Sequence, residues 1–440
     1  MRGRGPWWGR RLVTACGAII GGVVVAMAWP HAAASQEPGV RIGLTYAPGT
    51  QPGLYLLPIR GAEGDSIRRI LARDLEFGHR LTVLLPDSGA AAPTGRLNYP
   101  LYARLGAAGI LQLVMQADGS ASVTLHDVVA ARAQESRRVP LPGPRFSPAW
   151  RLAVHGIADL VEEWVTGTRG VAATRVLFVR GGALWQIDSD GANEQPVAGV
   201  GAALGPAWHP DGRSIAFARM RDDGTSVVVR EFASGVERRI PTSAPLSLSP
   251  AFSPDGKWLA FAAGESGTDL YLLPVGAWDD APQRITVGRG STNAQPTFAP
   301  DGRRLAFTTS RLGRNEIYLT DADGANPELL TSTVMSEAPY RADPAWSPDG
   351  RFVAFSTQID GRFQIATINL RDRSVRQYTT EGVNEDPSWA PDGRHLVFTS
   401  SRTGIRQLWV LDIESGRVRQ LTRGAASRMA AWSPRLLGTP

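Results

Sequence analysis

The chain is poor in the residues that most chemistry needs. Among its 440 residues there is one cysteine, Cys16, and one lysine, Lys257. A lone thiol excludes an internal disulfide framework and a zinc site built on cysteines. Lys257 is followed by Trp258, so the Gly-Lys-Ser/Thr core of a phosphate-binding loop is missing. A Gly-x-Ser-x-Gly nucleophile elbow and a His-Glu-x-x-His zinc motif are missing too. The six histidines, His31, His79, His126, His155, His209 and His395, are scattered along the chain. Lone histidines in turns and helices read as structural. No catalytic residue, metal ligand set or cofactor is therefore assigned.

Acid is absent from residues 1–34, which hold Arg2, Arg4, Arg10 and Arg11. A basic start ending at Arg10-Arg11, an apolar run from Leu12 to Ala28, and Ala32-Ala33-Ala34 before Ser35 read as a signal peptide. The run is short for an uncleaved anchor. It also follows Cys16, whereas a lipoprotein signal places the apolar run before its cysteine. Removing those four arginines leaves 43 of the 47 basic residues against 41 acidic ones. The isoelectric point near 9.9 then carries no nucleic-acid footprint.

What the chain has in abundance is a repeat. Pro344-Ala-Trp346-Ser-Pro-Asp349-Gly, followed by Phe352-Val-Ala-Phe355, recurs around Trp208, Phe252, Phe298 and Trp389, and in broken form around Trp432. These six aromatic anchors stand 43 to 48 residues apart, the period of four-stranded propeller blades. In the unit Arg303–Thr331, Pro300-Asp301-Gly302 suits a tight turn. Arg304–Thr309, Glu316–Thr320 and Glu328–Thr331 follow as strands, with turns at Gly313 and Asp323-Gly324. Six second-strand signatures, ending at Val179, Phe217, Phe261, Phe307, Phe355 and Phe398, count six blades. The first lacks an anchor before it and Trp432 lacks strands after it, so the last strand is expected to complete the first blade and close the ring. The fold predicted is mainly β, a six-bladed β-propeller preceded by a small α/β domain. Residues 1–34 are the signal peptide, 35–168 the N-terminal α/β domain and 169–440 the propeller.

In the N-terminal domain, Val40–Thr45, Leu54–Ile59 and Leu81–Leu85 read as strands, and Ile110–Met115 with Ala121–Leu125 as a hairpin across Asp118-Gly119. Asp65–Leu75 reads as a capped helix with Ile67, Ile70, Leu71 and Leu75 on one face, Tyr99–Gly106 as a short helix, and Trp150–Val165 as an amphipathic one. Two loops, Asp188-Ser-Asp190-Gly-Ala-Asn193 and Asp321-Ala-Asp323-Gly-Ala-Asn326, are rich enough in oxygen for calcium but lack a distal glutamate. They fall where a blade needs its third turn, which favours the turn reading. Asp211, Asp255, Asp301, Asp349 and Asp392 recur in Pro-Asp-Gly turns, and repetition of this kind argues for architecture.

The blade repeat is shared with many bacterial propellers. Trp150-Arg-Leu-Ala-Val-His155-Gly-Ile-Ala-Asp159, leading through Thr166-Gly167 and Gly170 to Thr174-Arg175, is more specific and resembles the helix and linker that join the two domains of the TolB family. The resemblance implies a non-enzymatic periplasmic component of the Tol-Pal system that links inner-membrane Tol proteins to the outer-membrane lipoprotein Pal, with a role in envelope integrity and cell division. It implies a mobile N-terminal segment that contacts a TolA-like inner-membrane protein, here Val40, Arg41, Ile42, Gly43, Leu44 and Thr45. It also implies a propeller mouth that receives a Pal-like lipoprotein, here Leu246, Ser249, Gln295, Asp343, Glu385, Asp386 and Arg428. The chain is expected to be monomeric and to reach membranes only through its partners.

Leu246–Ser249 and Ala294-Gln295 depart from the more polar loops of well-known members, so contact chemistry is expected to differ in detail. Asp343, Glu385 and Asp386 supply acid on neighbouring blades where turn chemistry does not ask for it, which suggests an electrostatically steered partner and charge reversal without loss of stability. The competing reading is an exported propeller that binds peptides or sugars. A propeller-bearing hydrolase is set aside because the sequence stops soon after Trp432.

Overall fold

A computed structural model describes residues 44, 46, 50–86, 93, 95–288, 290–331 and 340–436. The signal-peptide reading, and Val40, Arg41, Ile42, Gly43 and Thr45, lie outside the described residues.

Strands β1 (Gly53–Leu56), β2 (Thr82–Leu84), β3 (Gly109–Met115), β4 (Ala121–Asp127) and β5 (Arg132–Val139) form one sheet in the order β2-β1-β3-β4-β5. β1 runs parallel to β2 and β3, and β3, β4 and β5 are antiparallel. Helix α1 (Gly64–Phe77) buries Ile67, Ile70, Leu71 and Leu75 against the sheet, as its spacing requires. Its N-cap is Glu63 and makes no side-chain cap bond, so Asp65 contributes charge in the first turn and does not cap. The short helix α2 (Tyr99–Arg104) is capped by Asn98. The first strand is shorter than Leu54–Ile59 suggests. β5 escaped the sequence reading because Arg132–Val139 is charged and exposed, a polar edge that alternation in hydrophobicity cannot reveal.

Helix α3 (Pro148–Thr166) starts on Ser147, whose hydroxyl accepts the Trp150 N–H at 3.2 Å, and stops on Gly167 at φ 75°. It is not the two-faced helix its pattern suggests. One side packs into the α/β core, and the other, carrying His155, Asp159 and Glu162, is buried as well.

The propeller strands form six four-stranded sheets. Blade 1 combines Ser427–Trp432 from the end of the sequence with Arg175–Arg180, Ala183–Asp188 and Gln195–Pro196. Blades 2 to 6 follow in order, their innermost strands being Ala203–Trp208, Leu246–Phe252, Asn293–Phe298, Arg341–Trp346 and Asn384–Trp389. The ring closes as its repeat count demands, and blade 1 has no open inner edge.

The aromatic of each second strand, Phe178, Phe217, Phe261, Phe307, Phe355 or Phe398, is fully buried. Each contributes roughly 1.5–3 kcal/mol by leaving water. The anchors fill the seams between blades: Phe298 packs with Ala260, Leu270 and Leu272 of the preceding blade, and Trp346 with Ala306 and Leu319. Trp389 Nε1 donates to the Ala345 carbonyl at 2.9 Å, and Trp432 Nε1 to Thr174 Oγ1 at 2.8 Å.

The turn between first and second strands is a closed hydrogen-bonded unit. Ser347 Oγ donates to Asp349 Oδ1 at 2.6 Å and accepts the Phe352 N–H at 2.9 Å, while Gly350 takes the φ of 75° that the turn imposes. Each of Asp211, Asp255, Asp301, Asp349 and Asp392 accepts the N–H two residues on, at 2.7 to 3.1 Å. These five carboxylates are architecture, as their repetition implies.

Candidate functional site

Each innermost strand carries a β-bulge, and its bulged residue is left-handed: Gly205, Ser249, Gln295, Asp343, Asp386 and Met429, at φ 50–55°. Five of these are not glycine, in a region that L residues enter at a cost of about 1–2 kcal/mol. A bulge re-aims its side chain. Here it turns six corners toward one cavity of about 330 Å³ at the channel mouth, also lined by Leu204, Leu248 and Ala430.

Of the expected Pal-facing residues, Ser249, Gln295, Asp343 and Asp386 line this cavity. Leu246, Glu385 and Arg428 do not: Arg428 is exposed, and Glu385 pairs with Arg406 of its own blade at 3.0 Å. Gly205, Leu248 and Met429 also line it; Leu248 and Met429 end expected mouth loops but are not among the chosen contacts, and Gly205 was missed. The signal was present, because five of the six bulged residues immediately precede the first proline of the repeat.

The acid at the mouth does have an internal use, which corrects the sequence-based expectation. Asp343 accepts from the Gln295 amide of blade 4 and, at 2.8 Å, from Ser356 Oγ of its own second strand. The Asp386 N–H of blade 6 is directed at the same carboxylate. Gln295 Oε1 in turn accepts the Asp343 N–H at 3.1 Å and Thr308 Oγ1 at 2.7 Å. Asp386 Oδ2 accepts Thr399 Oγ1 at 3.0 Å and the Met429 N–H at 3.2 Å. A chain of hydrogen bonds thus ties blades 4, 5, 6 and 1 around the channel. Although the Asp343 residue keeps some solvent contact, its carboxylate is enclosed. Burial, reinforced by the charge of Asp386, pushes its pKa up to about 7. Asp386 is raised too, first by burial and then by Glu385.

The N-terminal domain meets blades 6 and 1 at the opposite end of the strands, where histidines distant in sequence converge. His155 Nδ1 lies 2.6 Å from Asp74 Oδ2, and Arg73 and Arg151 both reach Asp190. Asp188 takes Arg175 at 3.0 Å and Asn193 at 2.6 Å, and Asp321 takes Asn326 at 2.6 Å. These bonds hold both loops as hairpin turns, with arginine and asparagine on the oxygens that calcium would need.

Asp159 caps the linker through the N–H groups of Ala172 and Ala173, yet burial raises its pKa to about 6. Burial likewise raises Glu162 to about 7, against the pull of Arg80. His79 Nδ1 lies 3.2 Å from Asp412, and Phe77 stacks on His395 with ring centres 4.8 Å apart. Treating these histidines as isolated was therefore incorrect for His79, His155 and His395. Leu44, an expected TolA-facing residue, is buried in the N-terminal core with Leu54. Among the described residues no helix is long and apolar enough to cross a membrane.

A family profile described as the TolB beta propeller domain matches residues 162–434. The Tol-Pal system protein TolB of Methylococcus capsulatus is 32% identical over 200 residues, 42% of this chain and 46% of that protein. Its namesake from Chromobacterium violaceum is 26% identical over 235 residues, 50% and 54% of the two chains. The chain spans about half the length of the curated relatives it matches. The crystal structure of TolB from Acinetobacter baumannii shares the fold, with a TM-score of 0.74 at 22% identity over 89% of this chain and 98% of that one. With the profile covering all six blades and their closing strand, the chain belongs to the TolB β-propeller family.

Proposed function

We propose that this chain is a non-enzymatic periplasmic component of the Tol-Pal system that binds a Pal-like outer-membrane lipoprotein at its channel mouth and a TolA-like inner-membrane protein through its N-terminal segment. The names of its relatives support membership of that system. The observation that carries the binding role is the mouth itself: five non-glycine residues held left-handed around one cavity, an expense in backbone strain that a plain blade connection does not need. Signal-peptide removal near Ala34 and the division at residue 168 belong to the same proposal. Binding at the mouth would couple the propeller to the outer membrane while the N-terminal domain, on the opposite end, stays free for the inner-membrane partner.

Isothermal titration of the chain with the periplasmic part of the same organism's Pal-like lipoprotein tests this. Leu248→Glu combined with Arg428→Glu changes a half-buried lining residue and an exposed rim residue. The pair should weaken binding at least about tenfold, as loss of a central apolar contact and a rim charge does. Wild-type binding in this variant, with the fold intact, would move the docking site elsewhere.

A further inference from the structure

A cavity of about 250 Å³ lies where the end of α1 meets blade 6. Polar groups enter it from His79, His395, Asp412, Arg417 and Arg419, and Phe77 supplies an apolar wall. The one carboxylate among the described lining residues, Asp412, has its acceptors taken. Its Oδ1 accepts Arg394 Nε at 2.8 Å and the Glu414 N–H at 3.0 Å, and its Oδ2 accepts Arg394 Nη2 and Ser415 Oγ, both at 2.6 Å. What remains in the lining is donors. His395 is 1% exposed, and its Nδ1 lies 2.6 Å from Asp392 Oδ2 while its Nε2 has no hydrogen-bond partner. Arg419 stacks on the Phe77 ring at 3.8 Å and donates to the Ser189 carbonyl, but its enclosed Nε has no partner. The exposed Arg417 side chain makes no hydrogen bond or ion pair among the described residues. His79 registers the crowding of positive charge: burial lowers its pKa, and Arg417 and His395 push the same way against the pull of Asp412.

We propose that this cavity binds one small tetrahedral oxyanion, inorganic phosphate or sulfate, held by His395 Nε2, Arg419 Nε and the Arg417 guanidinium, with His79 beside it on the N-terminal domain, and that the ion staples that domain to blade 6. Buried donors without partners are costly, and an oxyanion satisfies several of them at once through charge-assisted bonds. The surrounding charge nearly cancels before the ion enters. On blade 6, Asp392, Asp412 and Glu414 stand against Arg394, Arg417 and Arg419, and on α1 Arg73 and Asp74 act on Arg419 in opposite senses. The extra positive charge that an anion needs therefore has to come from the imidazoles. With Nδ1 directed at Asp392, His395 donates through Nε2 only as an imidazolium, so binding takes up a proton.

The test is isothermal titration of the tag-free chain with sulfate, in chloride buffer free of phosphate. Sulfate keeps its charge between pH 6 and pH 8, so any pH dependence belongs to the protein. It should bind at one equivalent with a Kd below about 1 mM at pH 6 and roughly tenfold more weakly at pH 8. It should also raise the melting temperature more than chloride at equal ionic strength, and phosphate should compete for the same equivalent. Arg417→Gln removes an exposed, unpaired side chain, so it should weaken sulfate at least about fivefold and leave the melting temperature of the sulfate-free chain unchanged. His395→Gln should remove the pH dependence of the binding that remains. Arg423→Gln, exposed at the mouth end of the propeller, should bind as wild type does. A wild type that does not distinguish sulfate from chloride, a folded Arg417→Gln with wild-type affinity, or equal affinity at pH 6 and pH 8 overturns the site.

Discussion

Trp432 stands eight residues from the end of the sequence, where a linear view would make it expendable, yet it locks blade 1 to blade 6. Its ring packs against Val176, Val397, Leu408 and Val410, its Nε1 donates to Thr174 Oγ1 at 2.8 Å, and its backbone N–H donates to Ser388 Oγ at 3.0 Å. Trp432→Ala removes a buried aromatic, which costs about 3–5 kcal/mol including the cavity left behind. Losing the indole bond to the buried hydroxyl adds about 1 kcal/mol. For a chain of this size a kilocalorie shifts the melting temperature by roughly 2–4 °C, so the variant should melt on the order of 10 °C lower. Calorimetry and urea unfolding followed by far-UV circular dichroism give both numbers. Trp389→Ala, an equivalent anchor inside the repeat, is the yardstick, and the two losses should agree within about 1 kcal/mol. A Trp432→Ala loss below about 1 kcal/mol beside a full loss at Trp389 would refute the closed ring.

Asp343→Arg should unfold more easily than wild type by about 2–4 kcal/mol, because it strands the Gln295 amide, the Ser356 hydroxyl and the Asp386 N–H; chemical denaturation reads this directly. Glu385→Arg loses only a half-exposed pair with Arg406 and should shift stability by about 1 kcal/mol or less, so any salt-dependent slowing of partner association in that variant reports on the mouth. Asp343, Glu162 and Asp159 have pKa values raised above those of the unfolded chain, to about 7, 7 and 6. The native state therefore holds protons that the unfolded chain releases, and stability should fall as pH rises from about 4 through 7. Asp392 has the opposite shift: His395 outweighs burial and holds it down to about 2, so its contribution is lost only as pH falls through about 4 to 2. A melting temperature highest near pH 4, with the decline toward pH 8 reduced in Asp343→Asn, is the expected profile; a flat profile between pH 5 and 8 would contradict it.

The propeller was legible because its information is local and repeated. Anchor, turn and strand phenylalanine recur in one window, and a mismatch between six strand signatures and five complete anchors is enough to imply closure. The domain junction was illegible for the opposite reason. Asp74 and His155 are separated by 81 residues, and His79 and Asp412 by 333. Their meeting depends on how α1 and α3 dock on blades 6 and 1, which no spacing rule contains. The pattern of α3 misled in the same way. Trp150–Val165 reads as amphipathic, but a second surface covers its polar residues Asp159 and Glu162. The mouth lies between these extremes: Ser249, Gln295, Asp343 and Asp386 line the cavity, but a bulge re-aims one residue of each inner strand, so Arg428 was chosen where its neighbour Met429 lines the cavity, Glu385 was added beside Asp386, and nothing was chosen from blade 2, where Gly205 does.

Six repeats in one chain also act as their own comparison set. Where the bulged residue is Gln295, Asp343 or Asp386, the residue after the strand phenylalanine is Thr308, Ser356 or Thr399, and its hydroxyl donates to that side chain. Where the bulged residue is Gly205, Ser249 or Met429, the same position holds Ala218, Ala262 or Val179. Bulge and hydroxyl therefore change together, and the change divides the ring in half. Blades 4, 5 and 6 present amide and carboxyl groups bonded from blade to blade, whereas blades 1, 2 and 3 present a thioether, a bare backbone and one small hydroxyl. A ring with six identical corners would offer a partner six equivalent rotational registers. This mouth offers one, since a docking surface that seats polar groups on blades 4 to 6 would leave them unpaired against blades 1 to 3, at about 1–3 kcal/mol for each buried group left unsatisfied. If the mouth is the docking site proposed above, the departure from sixfold symmetry, more than the symmetry, would fix the register of an asymmetric partner.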